Sequence, residues 1–370
     1  MADSEHHPPS PLVEALRQQE GSTTQFPHDI DVAIVAHNNL RELSRAIVSL
    51  IGAGCPLDRI TVVDVASDDG TDVWLSQDCP SVRVIRLTKN TGPGPGRNIG
   101  ITGATRRFVL LMDADVRVMS DAIARLHAAM LADSTIKIGS PIVVHADAPD
   151  RIQYAGGWLH YICEAVNPWL DRPVVERGST AEDIGVAPTC ALLLEREAAI
   201  AVGLFDERYF IGKEDGDFTH RMKIAGHRIW EVPQAIVVHQ SRPRNAWLFY
   251  YQIRNRWHFI LKNYQALTLV CLIPPLFIYE PLQLAVLVAK GHGWTYLRAV
   301  AGLIAMLPAL PRDRARVNRI RRRSDRELLT SGPLIVRGDL AANVLVRHGK
   351  GRYERFLNRY WHLLTRTVRT

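Results

Sequence analysis

The stretch Arg107-Phe-Val-Leu-Leu-Met-Asp-Ala-Asp115 limits the possible folds of this chain more than any other. A run of apolar residues, Phe108 to Met112, ends in two carboxylates, Asp113 and Asp115, one residue apart. Such a run fits a strand covered on both faces of an α/β sheet. Ligands of these sheets gather beyond the carboxyl ends of the strands. Two acids facing that crevice repel each other, and a divalent cation bridged to a phosphate relieves the repulsion. Magnesium and manganese prefer carboxylate and phosphate oxygens. Taken alone, the pair serves equally well as polar caps on a strand end.

The surrounding pattern supports the sheet. Asp31–Ala36, Ile60–Asp64, Val82–Leu87 and Phe108–Met112 read as strands. Leu40–Ile51 reads as a helix with Leu43, Ile47, Val48 and Ile51 near one face. This alternation predicts an α/β fold with a mostly parallel central sheet and right-handed crossovers. At 370 residues the chain is long enough for one large domain and an appendage. Residues 1–28 are polar and read as a disordered tail without the features of a signal peptide. Residues 29–264 carry the α/β pattern, and 265–370 read as a helical region. The five cysteines are scattered and form no Cys-x-x-Cys pair, which fits a reducing cytoplasm.

Composition changes after Tyr264. Ala266–Ala289 is strongly apolar but interrupted by Pro274, Pro275, Glu280 and Pro281. Trp294–Leu310 is a second apolar segment, and a cluster of arginines from Arg312 to Arg326 follows. A spanning helix needs about 20 apolar residues, and the interruptions count against a clean span. Apolar faces beside dense positive charge fit helices lying on an anionic membrane surface. The alternative is a helical extension packed on the first domain with a solvated charged face. A net charge of +7 favours an anionic partner without choosing among phospholipid, nucleic acid and phosphorylated substrate. The basic tail lacks interleaved aromatics and a recognisable nucleic-acid module, so no nucleic-acid partner is expected.

Three segments converge on one ligand. Val62-Val-Asp-Val-Ala-Ser-Asp-Asp-Gly-Thr71 is a strand entering a turn, from which Asp64 would accept a hydrogen bond from a nucleobase. Asp68-Asp69-Gly70 also fits an ordinary turn and helix cap. Asn90-Thr-Gly-Pro-Gly-Pro-Gly-Arg-Asn-Ile-Gly100 allows close backbone approach and opens a helix whose start favours phosphate. It fits neither the P-loop nor the dinucleotide fingerprint. Asp113-Ala-Asp115 is the third. Downstream, Glu214, Asp215 and Asp217 open a helix, where acids are also common as plain capping residues. One carboxylate there would take a proton from a hydroxyl.

Taken together, these blocks resemble glycosyltransferase family 2, inverting enzymes of the Rossmann-like GT-A fold. Within it they are most similar to the rhamnosyltransferase-like branch, including Tyr250-Tyr-Gln-Ile-Arg-Asn-Arg256. Val62–Thr71, Asn90–Gly100, Leu110–Asp115 and Gly203–Arg221 follow the family's order over about Ile30–Tyr264. The resemblance implies a nucleoside-diphosphate sugar donor, with Ala36, His37, Asn38, Asp64, Ser67, Asn90, Gly92, Arg97, Asn98, Asp113 and Ala114 around it. His37-Asn38 stands where the family usually has Tyr-Asn. Asp113, Asp115 and His239 would form the metal site for magnesium or manganese, with Asp115 the direct ligand. Asp215 would be the general base. Gly156, Gly157, Trp158, Cys190 and Glu214 would line the sugar and acceptor pocket, and Lys213 would reach the acceptor. The expected acceptor is a lipid-linked or other envelope glycan or a secondary metabolite. The expected location is peripheral, on the cytoplasmic face of the cell membrane. A sugar-1-phosphate nucleotidyltransferase is disfavoured, because no basic glycine-rich loop lies near the N-terminus.

Overall fold

The computed structural model describes residues 26–241, 245–334 and 344–367, so most of the polar N-terminal segment lies outside the described residues. The first half alternates strand and helix: β1 (Ile30–Ala36), α1 (Leu40–Gly52), β2 (Ile60–Asp64), α2 (Thr71–Asp78), β3 (Arg83–Arg86), α3 (Pro93–Gly103) and β4 (Phe108–Asp113). Each β–α–β crossover returns the chain parallel to itself, giving a parallel run β3–β2–β1–β4. Every residue of β4 up to Met112 is buried, as expected for a strand covered on both faces.

Beyond β4 the sheet is mixed rather than mostly parallel. The next elements are β5 (Val116–Val118), α4 (Ala122–Ala132), β6 (Ile136–His145), β7 (Ile152–Tyr154), β8 (Trp158–His160), β9 (Glu164–Val166) and β10 (Glu182–Asp183). Then come β11 (Ala191–Glu195), α5 (Arg196–Ala201), α6 (Glu214–Ile224) and β12 (Arg228–His239). β11 inserts between β4 and β6, antiparallel to both, whereas β12 joins β6 in parallel. The long excursion through β6 to β10 brings the chain back from the opposite end of the sheet, which reverses the direction of β11. The full order is β10–β12–β6–β11–β4–β1–β2–β3, with β5 on β12 and β7 on β6.

Helices complete the chain: α7 (Leu248–Asn263), α8 (Ala266–Cys271), α9 (Ile273–Ala289), α10 (Gly293–Met306), α11 (Leu310–Ile320), α12 (Asp325–Leu328) and α13 (Val344–Thr367). A short strand β13 (Leu329–Thr330) adds to β8 and β9 in a second, three-stranded sheet. Pro274 and Pro275 sit in the first turn of α9, where their missing N–H groups cost nothing, and they separate it from α8.

Candidate active site

The carboxyl ends of β1, β4 and β12 meet, and backbone hydrogen bonds fix the Asp-x-Asp turn between them. Asp113 N donates to the Cys190 carbonyl, Ala114 N to Val35 and Gln240 N to Asp115. Asp115 is thereby tied to the strand that carries His239. His239 Nε2 lies 3.5 Å from Asp115 Oδ1, and its Nδ1 lies 2.7 Å from Gln153 Oε1. An amide oxygen accepts only, so Nδ1 carries a hydrogen toward Gln153. Asp115 Oδ1 is buried and accepts no hydrogen bond. A carboxylate oxygen and an imidazole nitrogen 3.5 Å apart are donors suited to a divalent cation, with Gln153 orienting the histidine. Magnesium and manganese sites of this kind take their remaining ligands from phosphate and water.

Arg97, on α3, is the centre of the acidic cluster. Its Nη2 donates to both Asp113 oxygens at 2.8 and 3.0 Å, and its Nη1 to Asp215 Oδ1 at 3.2 Å. Glu214 Oε1 lies 3.8 Å from the same Nη1. Asp113 is thus committed to Arg97, while Asp115 faces His239. Thr189 Oγ1 also donates to Asp215 Oδ1, which fixes that carboxylate from a second side. The two neighbouring acids differ in access, Asp215 being 36% exposed at its side chain and Glu214 7%. Burial, together with the charge of Asp215, pushes the Glu214 carboxyl up to about 8. Glu214 is thus held toward its neutral form beside the more accessible Asp215.

The loops after β1 and β2 lock together. Asn38, at φ 51°, accepts Asp68 N on its side-chain oxygen and donates its own N–H to Ser67 Oγ. His37 Nδ1 bonds the Val65 carbonyl at 2.8 Å, and Val65 N returns to Ala36 O. Asp69 accepts from Leu40 N and Thr71 N, so it caps α1 and opens α2. Asp64 is fully buried and accepts Ser67 N on Oδ1; its Oδ2 has no hydrogen bond and lies 3.4 Å from Arg86 Nη1.

Other expected site residues have structural commitments. Asn98 turns away from the acids, its amide bonded to Phe205 and Glu207. The glycines of the Asn90–Gly100 block serve close packing. A Cβ on Gly100 would stand 2.6 Å from Ala33 Cβ, and one on Gly92 would stand 1.9 Å from the Phe210 carbonyl. Asn90 accepts Gly92 N and holds the turn into α3. Gly156 N donates to the buried Glu231, and a Cβ on Gly157 would meet the Tyr154 hydroxyl at 1.6 Å. Trp158 lies in the small sheet, paired with Val166. Lys213, at φ 70°, turns back to the Cys163 carbonyl and Glu164 instead of toward the acids. Asp217 is no simple cap. It is buried against Lys262 at 2.6 Å, Arg221 at 2.9 Å and Asn263 at 2.8 Å, which anchors α6 to α7.

Thr189 lies in Pro188-Thr-Cys190, which the family resemblance places at the sugar and acceptor pocket, whereas Gln153 and Glu231 carry no signal in the sequence. The chain brings Thr189 and Gln153 beside Asp215 and His239 from distant segments, and nothing in the sequence around Gln153 marks it.

A glycosyl transferase family 2 model matches residues 31–198, a span that ends before Asp215 and His239. The succinoglycan biosynthesis protein ExoO of Rhizobium meliloti (strain 1021) is 33% identical over 26% of this chain, which spans only 28% of that relative. The dTDP-rhamnosyl transferase RfbF of Shigella flexneri is 24% identical over 65% of this chain and 83% of its own length. The N-acetylglucosaminyl-diphospho-decaprenol L-rhamnosyltransferase of Mycobacterium tuberculosis (strain ATCC 25618 / H37Rv) is 28% identical over 57% of this chain and 76% of its own. Among solved structures, GalNAc-T7 with UDP, GalNAc and Mn2+ superposes with a TM-score of 0.53 at 20% identity, covering 64% of this chain and 48% of that one. That likeness is one of fold.

Proposed function

This chain is a rhamnosyltransferase-like protein with a glycosyltransferase family 2 domain over residues 31–198, and from that premise we propose that it transfers a sugar, with inversion, from a nucleoside-diphosphate donor to a hydroxyl of an envelope glycan. The observation that carries the proposal is the contact of Arg97 with both Asp113 and Asp215, the latter 118 positions away in the chain. It joins the strand-end acids to an accessible carboxylate suited to act as a base.

Asp215 takes the acceptor proton on Oδ2, because Arg97 and Thr189 already occupy Oδ1. The freed oxygen forms a bond to the anomeric carbon as the bond to the diphosphate breaks on the opposite face. A single accessible carboxylate base fits one displacement and inversion. Arg97 keeps Asp113 and Asp215 fixed relative to each other, so the base needs no reorganisation during transfer. Asp115 and His239 would hold the cation. Magnesium or manganese bound there would neutralise the departing diphosphate and template it. Asp64 Oδ2, buried and without a hydrogen bond, suits a nucleobase N–H once Arg86 moves aside.

The finer reading takes dTDP-rhamnose or a UDP-sugar as donor and a polyprenyl-diphosphate-linked glycan as acceptor. The names of the Shigella and Mycobacterium relatives support it. A lipid-linked acceptor would put the protein at the cytoplasmic face of a membrane. The test is nucleoside-diphosphate release from a panel of nucleotide sugars with manganese or magnesium. Release from one donor class, lost in Asp215→Asn when acceptor is present, is expected. A panel with no turnover in either metal would overturn the proposal.

A further inference from the structure

We infer that α8, α9, α10 and α13 form a docking face for an anionic lipid bilayer, on which the protein lies without crossing it. This deepens the lipid-linked reading of the acceptor and rests on it for its purpose, though the chemistry of the face stands by itself.

Large apolar side chains crowd the outer side of these helices. Phe277 is 79% exposed, Trp294 72% and Ile273 63%, with Val270, Leu282 and Ile304 also exposed. Scattered exposed apolar residues need no explanation, but a cluster on consecutive helices does. Charge supplies the identity of the partner. From Ala266 to Arg312 the sequence contains one acid, Glu280. That acid points inward, bonded to Arg256 and to the Tyr296 hydroxyl. In Val344–Thr367 the one acid is Glu354, which accepts Leu334 N and pairs with Lys350.

α13 brings positive charge to the edge of the apolar ridge. Tyr353 and Tyr360 donate to the carbonyls of Pro275 and Cys271, which fixes the helix beside Ile273 and Phe277. Arg352, Arg355 and Arg359 are exposed and share a shallow groove with Phe356, Tyr360 and Leu363. Apolar side chains flanked by arginine and aromatic residues, with no acid facing out among the described residues of these helices, match the interface of an anionic bilayer. A second copy of the chain would set one arginine row against another. Nucleic acid would leave the apolar ridge wet.

Packing favours lying over spanning. The helical run Gly293–Ile320 is long and apolar enough to cross a membrane by length and composition. Its inner side, however, is bound to the rest of the molecule. Ala299 is buried, a Cβ on Gly302 would stand 2.3 Å from the Tyr250 hydroxyl, and the same run contains Asp313, paired with Arg208. A spanning helix would have to leave these contacts.

The full-length protein is mixed with vesicles of phosphatidylglycerol in phosphatidylcholine, and separately with phosphatidylcholine alone, and bound protein is measured by co-flotation. Binding to the anionic vesicles and its release by high salt are expected. Ile273→Asp with Phe277→Asp should weaken it by about tenfold or more, and Arg352→Glu with Arg355→Glu by roughly tenfold. Unchanged thermal midpoints would show that the variants fold. Donor turnover is measured separately, so docking and catalysis can fail independently. The inference is overturned by equal binding to both vesicle types, by no binding, by resistance to salt and alkaline extraction, or by self-association or duplex DNA binding that the same substitutions abolish without any vesicle binding.

Discussion

His239 Nε2 stands 3.5 Å from Asp115 Oδ1, with a hydrogen of the imidazole on the far side of the ring at Gln153. A metal between these two atoms would depend on Gln153 as well as on its direct ligands. Asp115→Asn and His239→Ala are expected to abolish saturable manganese dependence of donor turnover. Gln153→Ala should raise the half-saturating manganese concentration about 10–100-fold, with little change at saturation. If manganese response is unaltered in all three, the cation does not sit here.

Asp215 and Glu214 are adjacent in sequence and separate in role. Asp215→Asn should lower transfer by about 10²–10⁴ while leaving donor affinity near wild type. Thr189→Val removes one of the two hydrogen bonds on Asp215 and should give a smaller loss. Steady-state transfer and donor titration together check this, and a Thr189→Val effect larger than that of Asp215→Asn would contradict it.

Glu214 also makes stability depend on pH. Its ordinary value is 4.5, and in the folded protein it is pushed up to about 8. Between those values the folded state binds more protons than the unfolded state, so the contribution from Glu214 is present at low pH and lost as pH rises through about 8. Glu214→Gln lacks this loss. The thermal midpoint of the wild type, compared with that of the variant, should fall as pH rises from about 5 to about 9. A constant difference across that range would show that Glu214 does not titrate there.

Asp217 is the structural acid of the group. Burial alone would raise it, yet Lys262 and Arg221 hold its carboxyl below the ordinary value. Asp217→Ala strips buried Arg221 of its carboxylate and leaves Lys262 with Asp206 alone, and should destabilise the fold by about 3–5 kcal/mol in urea titration. Asp215→Asn, at an accessible position, should fall well short of that.

Local pattern made the parallel half of the sheet readable. The expected helix at Leu40–Ile51 is observed as Leu40–Gly52, and the strand expected at Phe108–Met112 as Phe108–Asp113. Period and burial of these segments depend on near neighbours alone. The reversal of β11 could not be read this way, because Ala191–Glu195 is equally apolar in either direction. Within the site, the strand-end motif marks Asp113 and Asp115, whereas Asp215 and His239 are singled out through the family resemblance. Gln153 gains meaning only from what the fold sets beside it. The glycine-rich block Asn90–Gly100 opens the expected helix, α3. Close approach was the correct reading of its composition, but the surfaces approached are Ala33 and Phe210 of the chain itself.

A guanidinium is a flat fork, and Arg97 grips a different acid with each prong. Lysine, a single point of charge, could serve one acid and would release the other. The strand end and the start of α6 are therefore tied across the crevice through one guanidinium, so a change at either carboxylate is felt at the other.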